Sequence, residues 1–393
     1  MRDAHDHVCP NCRSTGMREF YRTGPVPVHS CLMLDDEQAA REFPRRPITL
    51  GFCSACGFVS NVVFDATVQN YAGEYQDQQS FSKRFQAFQT QLVQHLVERF
   101  AIRGKDVVEI GCGKGDFLVE LCRAGDNRGV GIDPRSDSGQ DDPQGRVRFL
   151  RDYYSREHWR LPCDLLVCRH TLEHLPATDE FLGLVRQGLD GQRNALVFFE
   201  VPDAGRVFSD AAFWDIYYEH CSYFTAGSLA RLFRRNRFEI LELRRVFEDQ
   251  YLTIVARPAE RMVEDALPEE ETPDQLADRL HVFEERVHKI LLEWKARLAT
   301  LKARNRHVAV WGAGSKCVSF LSSLGGEDAV ETVIDINPHQ QNKFLPGSGK
   351  RIKPPDALRT RHPDVVLVMN PVYRDEIGHQ LDIMGVRAEL LCI

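Results

Sequence analysis

A strand followed by a glycine-rich turn and a helix is the feature that most restricts how this chain can fold. Residues 106–118 read Asp-Val-Val-Glu-Ile-Gly-Cys-Gly-Lys-Gly-Asp-Phe-Leu. The glycines permit a tight turn and let a ligand approach the backbone where the helix begins. A second strand, residues 129–133, follows and also ends in an acid. This order predicts an α/β domain with a ligand site at the carboxyl ends of its strands.

The acids at the two strand ends indicate which ligand the turn binds. Glu109 precedes Gly111 and Gly113, whereas a protein that binds pyrophosphate has a loop suited to phosphate at this point. Asp133, at the end of the second strand, is placed to hold ribose hydroxyls. The Glu-Ile-Gly-Cys-Gly sequence is similar to the E/DxGxG motif of class I S-adenosylmethionine methyltransferases. That cofactor lacks phosphates and carries cationic ammonium and sulfonium groups, which carboxylates and aromatic rings suit. A NAD-type Rossmann site is the alternative.

Two further strands extend the same site. Asp152 follows a strand near residue 148 as a candidate adenine-side acid, and residues 163–175 read as a fourth strand with its loop. The strand-end rule places His170, Glu173 and His174 near the reacting centre, although a packing role is the alternative for His174. We expect the cofactor to contact Glu109, Gly111, Gly113, Asp133, Asp152 and Arg169.

Two CxxC pairs near the N-terminus predict a metal site. Cys9 and Cys12 form one pair, and Cys53 and Cys56 form the other. Two such pairs complete a tetrahedral zinc site with no open position, so the Zn²⁺ is expected to be structural. Two redox-active pairs are the alternative. The remaining cysteines are scattered, which suits reduced thiols in a cytoplasmic enzyme.

The segment 213–224, Phe-Trp-Asp-Ile-Tyr-Tyr-Glu-His-Cys-Ser-Tyr-Phe, brings together groups that proton abstraction needs. His220 is a candidate base, since histidine has a pKa near neutrality. The adjacent carboxylate offers a partner for it, and the nearby phenols offer donors for a developing oxyanion. An aromatic core patch with a buried, hydrogen-bonded histidine is the alternative.

The C-terminal third repeats the strand, glycine turn and helix pattern. A Pro- and Glu-rich boundary at 258–272 precedes apolar residues at helical spacing from Leu276 to Leu301, which predict one long helix. Residues 307–316 then read as a strand, a glycine turn and a helix start, and strands near 330–335 and 363–369 follow. Lys316 at the helix N-terminus is a candidate phosphate ligand, with a surface lysine as the alternative.

Charge and composition limit the partners. The formal net charge is −7, which argues against binding driven by nucleic-acid phosphates. No apolar run approaches the length of a membrane span, and no signal peptide is recognised, so we expect a cytoplasmic protein without a membrane partner. We expect a monomer or a weak dimer. The predicted parts are a zinc-binding module (1–70), a methyltransferase domain (71–258), a helical linker (259–306) and a Rossmann-like domain (307–393).

The ordered motifs resemble those of the three-domain, zinc-containing sugar C-methyltransferases that act on nucleotide-linked 4-keto deoxysugars. The resemblance covers nearly the whole chain. It is carried by the two CxxC pairs, Glu109-Ile-Gly-Cys-Gly, Thr171-Leu-Glu-His174, Tyr217-Tyr-Glu-His220, Gly312-Ala-Gly-Ser-Lys316 and residues 335–347. It implies an α/β fold with a class I methyltransferase Rossmann-like core, a small N-terminal zinc module and a second Rossmann-like domain joined by a long helix.

The resemblance also implies roles for individual residues. His220 would remove the proton α to the ketone, oriented by Glu219, with Tyr217, His174 and an upstream tyrosine, Tyr75, assisting. The upstream segment reads Tyr75-Gln-Asp where the family usually has Tyr-x-Tyr. Asn342 and Lys343 would line the substrate cleft with Lys316.

The function that follows is C-methylation of a nucleotide-linked keto-sugar, with S-adenosylmethionine as cofactor and zinc as a structural ion. O-methylation of a sugar or related metabolite by the same histidine is the main alternative. A zinc-ribbon RNA methyltransferase is less favoured because the chain is acidic and lacks an (N/D)PPY loop after the fourth strand. A non-catalytic binding scaffold is a further alternative.

Overall fold

Three main β-sheets organise the chain in the computed structural model, which describes residues 7–69, 79–136, 145–263, 265–325 and 329–393. The first sheet is mostly N-terminal, the second and largest is central, and the third is C-terminal.

Short elements build the N-terminal part: β1 (Arg18–Arg22), β2 (Val26–Pro27), α1 (Glu37–Arg41), β3 (Arg45–Arg46), β4 (Thr49–Phe52) and β5 (Val59–Asn61). Strands β1, β4 and β5 pair antiparallel, and β2 and β3 form a separate ribbon. Strands this short are marginal by themselves. This part therefore needs additional sources of stability.

The four cysteines of the CxxC pairs meet beside these strands. The sulfur of Cys9 lies 3.6 Å from that of Cys56, and the sulfur of Cys12 lies 3.6 Å from that of Cys53. All four lie within 4.8 Å of one another. Thiolates bound to one tetrahedral zinc ion at about 2.3 Å are separated by about 3.8 Å. The cluster therefore fits the predicted zinc ion, held by four protein ligands.

The central part alternates strands and helices: α2 (Lys83–Arg99), β6 (Asp106–Ile110), α3 (Asp116–Gly125), β7 (Arg128–Ile132), β8 (Val147–Leu150), β9 (Leu165–Arg169), α4 (Thr178–Gly188), β10 (Leu196–Pro202), α5 (Ala204–Asp210), β11 (Ser222–Tyr223), α6 (Ala226–Arg235), β12 (Phe238–Val246) and β13 (Tyr251–Pro258). Strand β9 and nearly all of β10 are buried, as expected for strands covered on both faces. Helix α2 begins after Ser82, whose hydroxyl accepts a hydrogen bond from the amide of Phe85 at 3.2 Å.

The central sheet has the order β12-β13-β10-β9-β6-β7-β8. The five strands from β10 to β8 are parallel, and β13 runs antiparallel between β10 and β12. The chain passes from β6 to β7 and β8 on one side and then crosses to β9 on the other. This reversal leaves a crevice at the carboxyl ends of β6 and β9, where ligands of such sheets bind.

Strand β11 leaves the central sheet and completes the N-terminal one. It pairs antiparallel with β5, with Ser222 opposite Ser60 and Tyr223 opposite Val59. The amide of Asn61 also donates to the carbonyl of Cys221 at 2.9 Å. Because β5 follows the second CxxC pair and β11 follows His220, the cysteine cluster is tied to the histidine segment through a few residues of backbone.

The C-terminal part contains α7 (Pro273–His281), α8 (Phe283–Ala303), β14 (Val308–Trp311), α9 (Ser315–Leu324), β15 (Thr332–Ile334), β16 (Ile352–Lys353), β17 (Val365–Val368), α10 (Arg374–Met384) and β18 (Glu389–Cys392). Its strands form a parallel sheet in the order β16-β15-β14-β17-β18. The strand order reverses between β14 and β17. A second crevice therefore opens at the carboxyl ends of these two strands.

The predicted single long helix is wrong at Val282. The backbone there leaves helical values, with φ −102° and ψ 0°, so that α7 ends and α8 begins at this residue. The apolar stripe continues across the break, and Leu280 and Phe283 both join the same buried cluster. Packing of both helices against one core accounts for the break, which periodicity alone does not reveal.

The architecture confirms the predicted α/β class: a central, mostly parallel sheet with helices, a smaller cysteine-containing N-terminal region and a second Rossmann-like sheet. Among the helices that the structure describes, none combines the length and apolar character needed to cross a bilayer.

We predict that Cys12→Ser removes the bound zinc and destabilises the N-terminal part. A structural zinc ion contributes on the order of 10 kcal/mol of folding free energy in small metal-dependent peptides, so a large fall in Tm is expected. Elemental analysis and thermal unfolding check this. Cys392→Ser, at the far C-terminus, is the matched control and should keep its zinc. Equal metal content and Tm in the two variants would refute the prediction.

Candidate active site

One cavity of about 650 Å³ lies where the central and C-terminal sheets face each other. Its wall includes residues after β6, β7, β9 and β10 of the central sheet and residues after β14, β15 and β17 of the C-terminal sheet. The crevices of both sheets therefore open into a single space. Its size is typical of small-molecule sites.

The glycine turn after β6 forms one end of the cavity. Gly111 and Gly113 have φ of 68° and 55°, values that favour glycine. The amide of Gly113 donates to the carboxylate of Asp133 at 2.9 Å, which holds the turn against β7. A Cβ atom at Gly111 would lie 2.0 Å from the hydroxyl oxygen of Thr171. The turn is therefore packed closely against the loop after β9.

An acidic and a basic side chain beside this turn each carry a buried atom without a hydrogen-bond partner. They are Oε2 of Glu109 and Nη2 of Arg169, and both residues line the cavity. Arg169 donates to Glu200 at 2.5 Å, and its guanidinium lies 4.1 Å from the ring centre of Phe117. Burial raises the pKa of Glu109 to about 8, against the opposing charge of Arg169. A ligand that supplies a cation and an anion would satisfy both atoms.

The two other predicted cofactor acids also line the cavity. Asp133 is buried, and its carboxylate is shared between Gly113 and Arg135. Asp152 is exposed and lies 3.6 Å from Nε2 of His158. The structure thus brings all six predicted cofactor residues to one cavity.

Three predicted catalytic side chains lie together on the wall of the same cavity: His220, Tyr217 and His174. The centre of the His220 ring lies 4.2 Å from the centre of the Tyr217 ring and 4.8 Å from the centre of the His174 ring. Burial, with further contributions from neighbouring positive charges, holds the pKa of His220 well below its usual range. Burial also raises the pKa of Tyr217 well above its usual range. The pair therefore combines a neutral imidazole with a protonated phenol.

His220 lines the cavity, but its neighbour Glu219 is not among the lining residues. Its buried carboxylate instead contacts Nδ1 of His29 at 3.3 Å and accepts a hydrogen bond from the amide of Ser30 at 2.8 Å. The hydroxyl of Ser30 also bonds to it and lies 3.0 Å from the hydroxyl of Ser315. These contacts link the segment to the N-terminal part and to α9, and the orientation of His220 by Glu219 stays a prediction.

Lys316 lines the cavity as predicted, but within an ion cluster. Its ammonium contacts one oxygen of Asp215, and the guanidinium of Arg206 contacts the other. Burial raises the pKa of Asp215, but Lys316 and Arg206 outweigh burial and hold it below its usual range. Arg206 also lies 3.7 Å from the carboxylate of Asp210, so each of the two cations has an acid beside it. Lys316 and Arg206 both line the wall, where an anionic ligand could contact them.

Asn342 and Lys343 are not among the residues that line the cavity, and their role in substrate binding stays a prediction. The side-chain oxygen of Asn342 accepts a hydrogen bond from Arg351 at 3.2 Å, and Lys343 lies 3.8 Å from Asp35. Both residues belong to the loop between β15 and β16. Tyr75 lies outside the described residues.

Several residues that line the cavity were not predicted from the sequence to bind a ligand or to act in catalysis. His170, with φ 47°, lies 3.5 Å from Glu173 and 3.6 Å from Glu200. Burial lowers the pKa of His170, but the two carboxylates outweigh burial and raise it to about 9. Arg206 follows the carboxyl end of β10, so the strand-end rule applied to that strand would have indicated it. The partnership of Asp215 with two cations has no comparable sequence signal.

Comparison with known proteins gives matches to two successive stretches of the chain, and both stretches contribute residues to the cavity wall. Residues 84–243 match a family model described as a methyltransferase domain, and residues 245–389 match one described as a C-methyltransferase C-terminal domain. The C-methyltransferase NovU of Streptomyces niveus is 26% identical over 388 residues, which cover 94% of this chain and 90% of that protein.

Solved structures resemble parts of the chain more weakly. Magnesium protoporphyrin IX methyltransferase from Synechocystis PCC 6803 gives a TM-score of 0.35 at 15% identity, covering 48% of this chain and 90% of that one. The 1,6-didemethyltoxoflavin-N1-methyltransferase of Burkholderia thailandensis gives a TM-score of 0.35 at 19% identity, covering 44% and 79%.

We predict that Gly111→Ala destabilises the protein more than Gly113→Ala. Both positions impose a left-handed backbone that costs about 1–2 kcal/mol for alanine. Only at Gly111 would the new Cβ overlap Thr171; at Gly113 the nearest atom is 3.9 Å away. Overlap adds about 1–3 kcal/mol. Denaturant unfolding measures both, and removing the hydroxyl with Thr171→Ala should recover part of the loss at Gly111. Equal losses at the two glycines would contradict the overlap.

Proposed function

Because the chain is an S-adenosylmethionine-dependent enzyme of the C-methyltransferase family, we propose that it methylates a carbon atom of a nucleotide-linked keto-sugar, with His220 as the base. The observation that carries this proposal is the shared cavity. It contains the glycine turn of the methyltransferase sheet, the histidine and tyrosine of the 217–220 segment, and the glycine turn of the C-terminal sheet.

The cofactor end is supported by the two atoms without hydrogen-bond partners. The amino-acid end of S-adenosylmethionine carries an ammonium and a carboxylate. Glu109 would accept from the ammonium and Arg169 would donate to the carboxylate, which satisfies Oε2 and Nη2 respectively. When bound, the cofactor supplies an electrophilic methyl group. The acids at 133 and 152 would hold the nucleoside part.

The base is supported by the protonation states around His220. Its neutral imidazole has a lone pair that can take the proton from the carbon next to the ketone. The electrons of that C–H bond then form the enolate, whose oxygen Tyr217 would stabilise by a hydrogen bond. His174 would add a second hydrogen bond in the form in which its Nε2 also carries a hydrogen. The enolate carbon forms the new C–C bond as the C–S bond to the methyl group breaks. His220 finally releases its proton to solvent.

The nucleotide end is supported by charge and by the second crevice. Gly314 and Ser315 place the N-terminus of α9 at the cavity wall, and the cations Lys316 and Arg206 line the wall beside it. Both features favour the phosphates of a nucleotide-linked substrate. The substrate is thus a small molecule rather than a nucleic acid, and the zinc ion is structural.

The proposed base predicts loss of enolisation in His220→Asn. With nucleotide-linked keto-sugars in deuterated water, the wild-type protein should exchange the α-hydrogen, and the variant should exchange it about 10²–10⁴-fold more slowly, the usual contribution of a general base. Mass spectrometry measures the exchange. His95→Asn, which alters a surface His–Glu pair, is the matched control. Exchange at the wild-type rate in His220→Asn would exclude His220 as the base.

The same reaction mixture tests the function itself. With labelled S-adenosylmethionine and a panel of nucleotide-linked keto-sugars, we expect a product whose NMR spectrum shows a new C–CH₃ signal. An O–CH₃ signal would instead assign the transfer to oxygen. Absence of transfer to every keto-sugar, with transfer to another compound, would overturn the proposed substrate class.

The pKa of Glu109 predicts proton release when S-adenosylmethionine binds. In the free protein a pKa of about 8 leaves the carboxyl largely protonated at pH 7. The ammonium of the ligand favours the ionised form, so binding lowers this pKa and releases a proton. Affinity should therefore increase as pH rises from about 6 to about 7, below the range in which the amino group of the ligand loses its proton. Calorimetry in buffers of different ionisation enthalpy measures the released proton.

Glu109→Gln provides the reference for this measurement. The amino group of the ligand titrates in a similar range, and only the difference between the two proteins reports the carboxyl. We expect the variant to bind more weakly and to release fewer protons. Equal proton release by both proteins would show that Glu109 does not meet the ammonium.

A further inference from the structure

Glu173 is a buried carboxylate on the cavity wall for which the proposed reaction has no use. It is 2% exposed, and neither of its oxygens has a hydrogen-bond partner. Nδ1 of His170, at 3.5 Å from Oε1, is close enough only for a charge interaction. His170 compensates part of the charge of Glu173, but both oxygens still lack the hydrogen bonds that buried carboxylates usually have.

Two imidazoles stand beside this carboxylate. One ligand atom from each of Glu173, His174 and His220 lies within 4.8 Å of the other two. Ligands of a single ion at about 2.1 Å can be separated by at most about 4.2 Å. Small side-chain rotations would therefore bring the three groups onto one ion.

The tautomer of His174 is fixed in the form that metals bind. Its Nδ1 lies 3.0 Å from the carbonyl oxygen of Glu219. A carbonyl can only accept, so Nδ1 carries a hydrogen and Nε2 is the ring nitrogen that can bind an ion. A backbone carbonyl on the far nitrogen is the usual way in which metal-binding histidines are oriented.

The backbone that carries the three side chains is also held in place. The hydroxyl of Ser222 donates to the carbonyl of Leu175 at 2.8 Å, and the thiol of Cys221 contacts the carbonyl of Glu173 at 3.7 Å. The loop after β9 and the segment before β11 are thus joined on both sides of the three side chains. Such preorganisation is what a metal site needs.

We propose that Glu173, His174 and His220 form a second metal site, which binds a divalent ion of the Zn²⁺, Co²⁺ or Ni²⁺ class inside the cavity. Two imidazoles and one carboxylate suit these ions and leave coordination positions open. The site differs from the cysteine cluster, whose four sulfurs close the coordination shell.

Occupancy of this site has a consequence that rests on the proposed function. The ion and the substrate proton compete for the same lone pair of His220, so a bound ion would inhibit the methylation. Binding of the ion does not depend on that function. The two can therefore be tested separately.

Cobalt provides the probe for the binding itself. The full-length protein, with zinc in its cysteine cluster, is titrated with Co²⁺ without substrate or cofactor. We expect one additional Co²⁺ to bind with visible d–d bands and without the near-ultraviolet thiolate charge-transfer bands that exchange into the cysteine cluster would produce. Glu173→Gln and His220→Asn should each weaken this binding more than about 100-fold, beyond what loss of an outer-shell partner causes.

His95→Asn is the control, because it removes a histidine from a His–Glu pair at 2.7 Å outside the cavity. It should bind Co²⁺ like the wild-type protein, and thermal unfolding verifies that every variant is folded. No cavity site exists if the wild-type protein binds no additional Co²⁺ at millimolar concentration. The same conclusion follows if all variants bind equally, which indicates adventitious binding. Failure of substrate exchange with intact Co²⁺ binding would refute the proposed function alone.

Discussion

The pairing of β5 with β11 is the interaction on which the rest of the site depends. Its residues follow the second cysteine pair on one strand and His220 on the other. The strands are only three and two residues long, so their backbone bonds alone would hold them weakly. The cysteine cluster packs within the same buried group as Phe58 and Phe224, which adds side-chain burial to the pairing. A metal ion in that cluster would thus stabilise the position of the imidazole without contacting the substrate.

Convergence of two crevices explains why one chain needs two α/β sheets. Each parallel sheet binds ligands where its strand order reverses, and here both reversals open toward the same cavity. Glu219 helps to hold this arrangement, because its carboxylate contacts Ser30 of the N-terminal part, and Ser30 in turn contacts Ser315 of α9. The double hydrogen bond between the side-chain amides of Gln250 and Asn370 joins the sheets at another point.

Local sequence patterns predicted the parts of the site that depend on local structure. The glycine turn at 111–113 and the acid Asp133 follow from a strand, a turn and a helix read in order, and the structure has them there. Tertiary structure decided what the sequence could not. Glu219 is next to His220 in sequence, yet its side chain contacts His29. The backbone forms a turn over residues 217–220, so the two neighbouring side chains point to different surroundings. Lys343 belongs to a loop that the C-terminal sheet carries away from the cavity, so its charge meets Asp35 instead.

The distribution of charge along the cavity separates its two ends. Near the first glycine turn Oε2 of Glu109 and Nη2 of Arg169 both lack a hydrogen-bond partner, and the carboxyl of Glu109, whose pKa burial raises to about 8, would ionise when a cationic ligand binds. Near the second turn the cations Lys316 and Arg206, which share Asp215, line the wall beside the N-terminus of α9. A cationic methyl donor and an anionic nucleotide would each be disfavoured at the other end, since exchanging them would place like charges together in a water-poor space. The same polarity that admits both ligands therefore also sets their order, with the imidazole of His220 on the wall that both would reach.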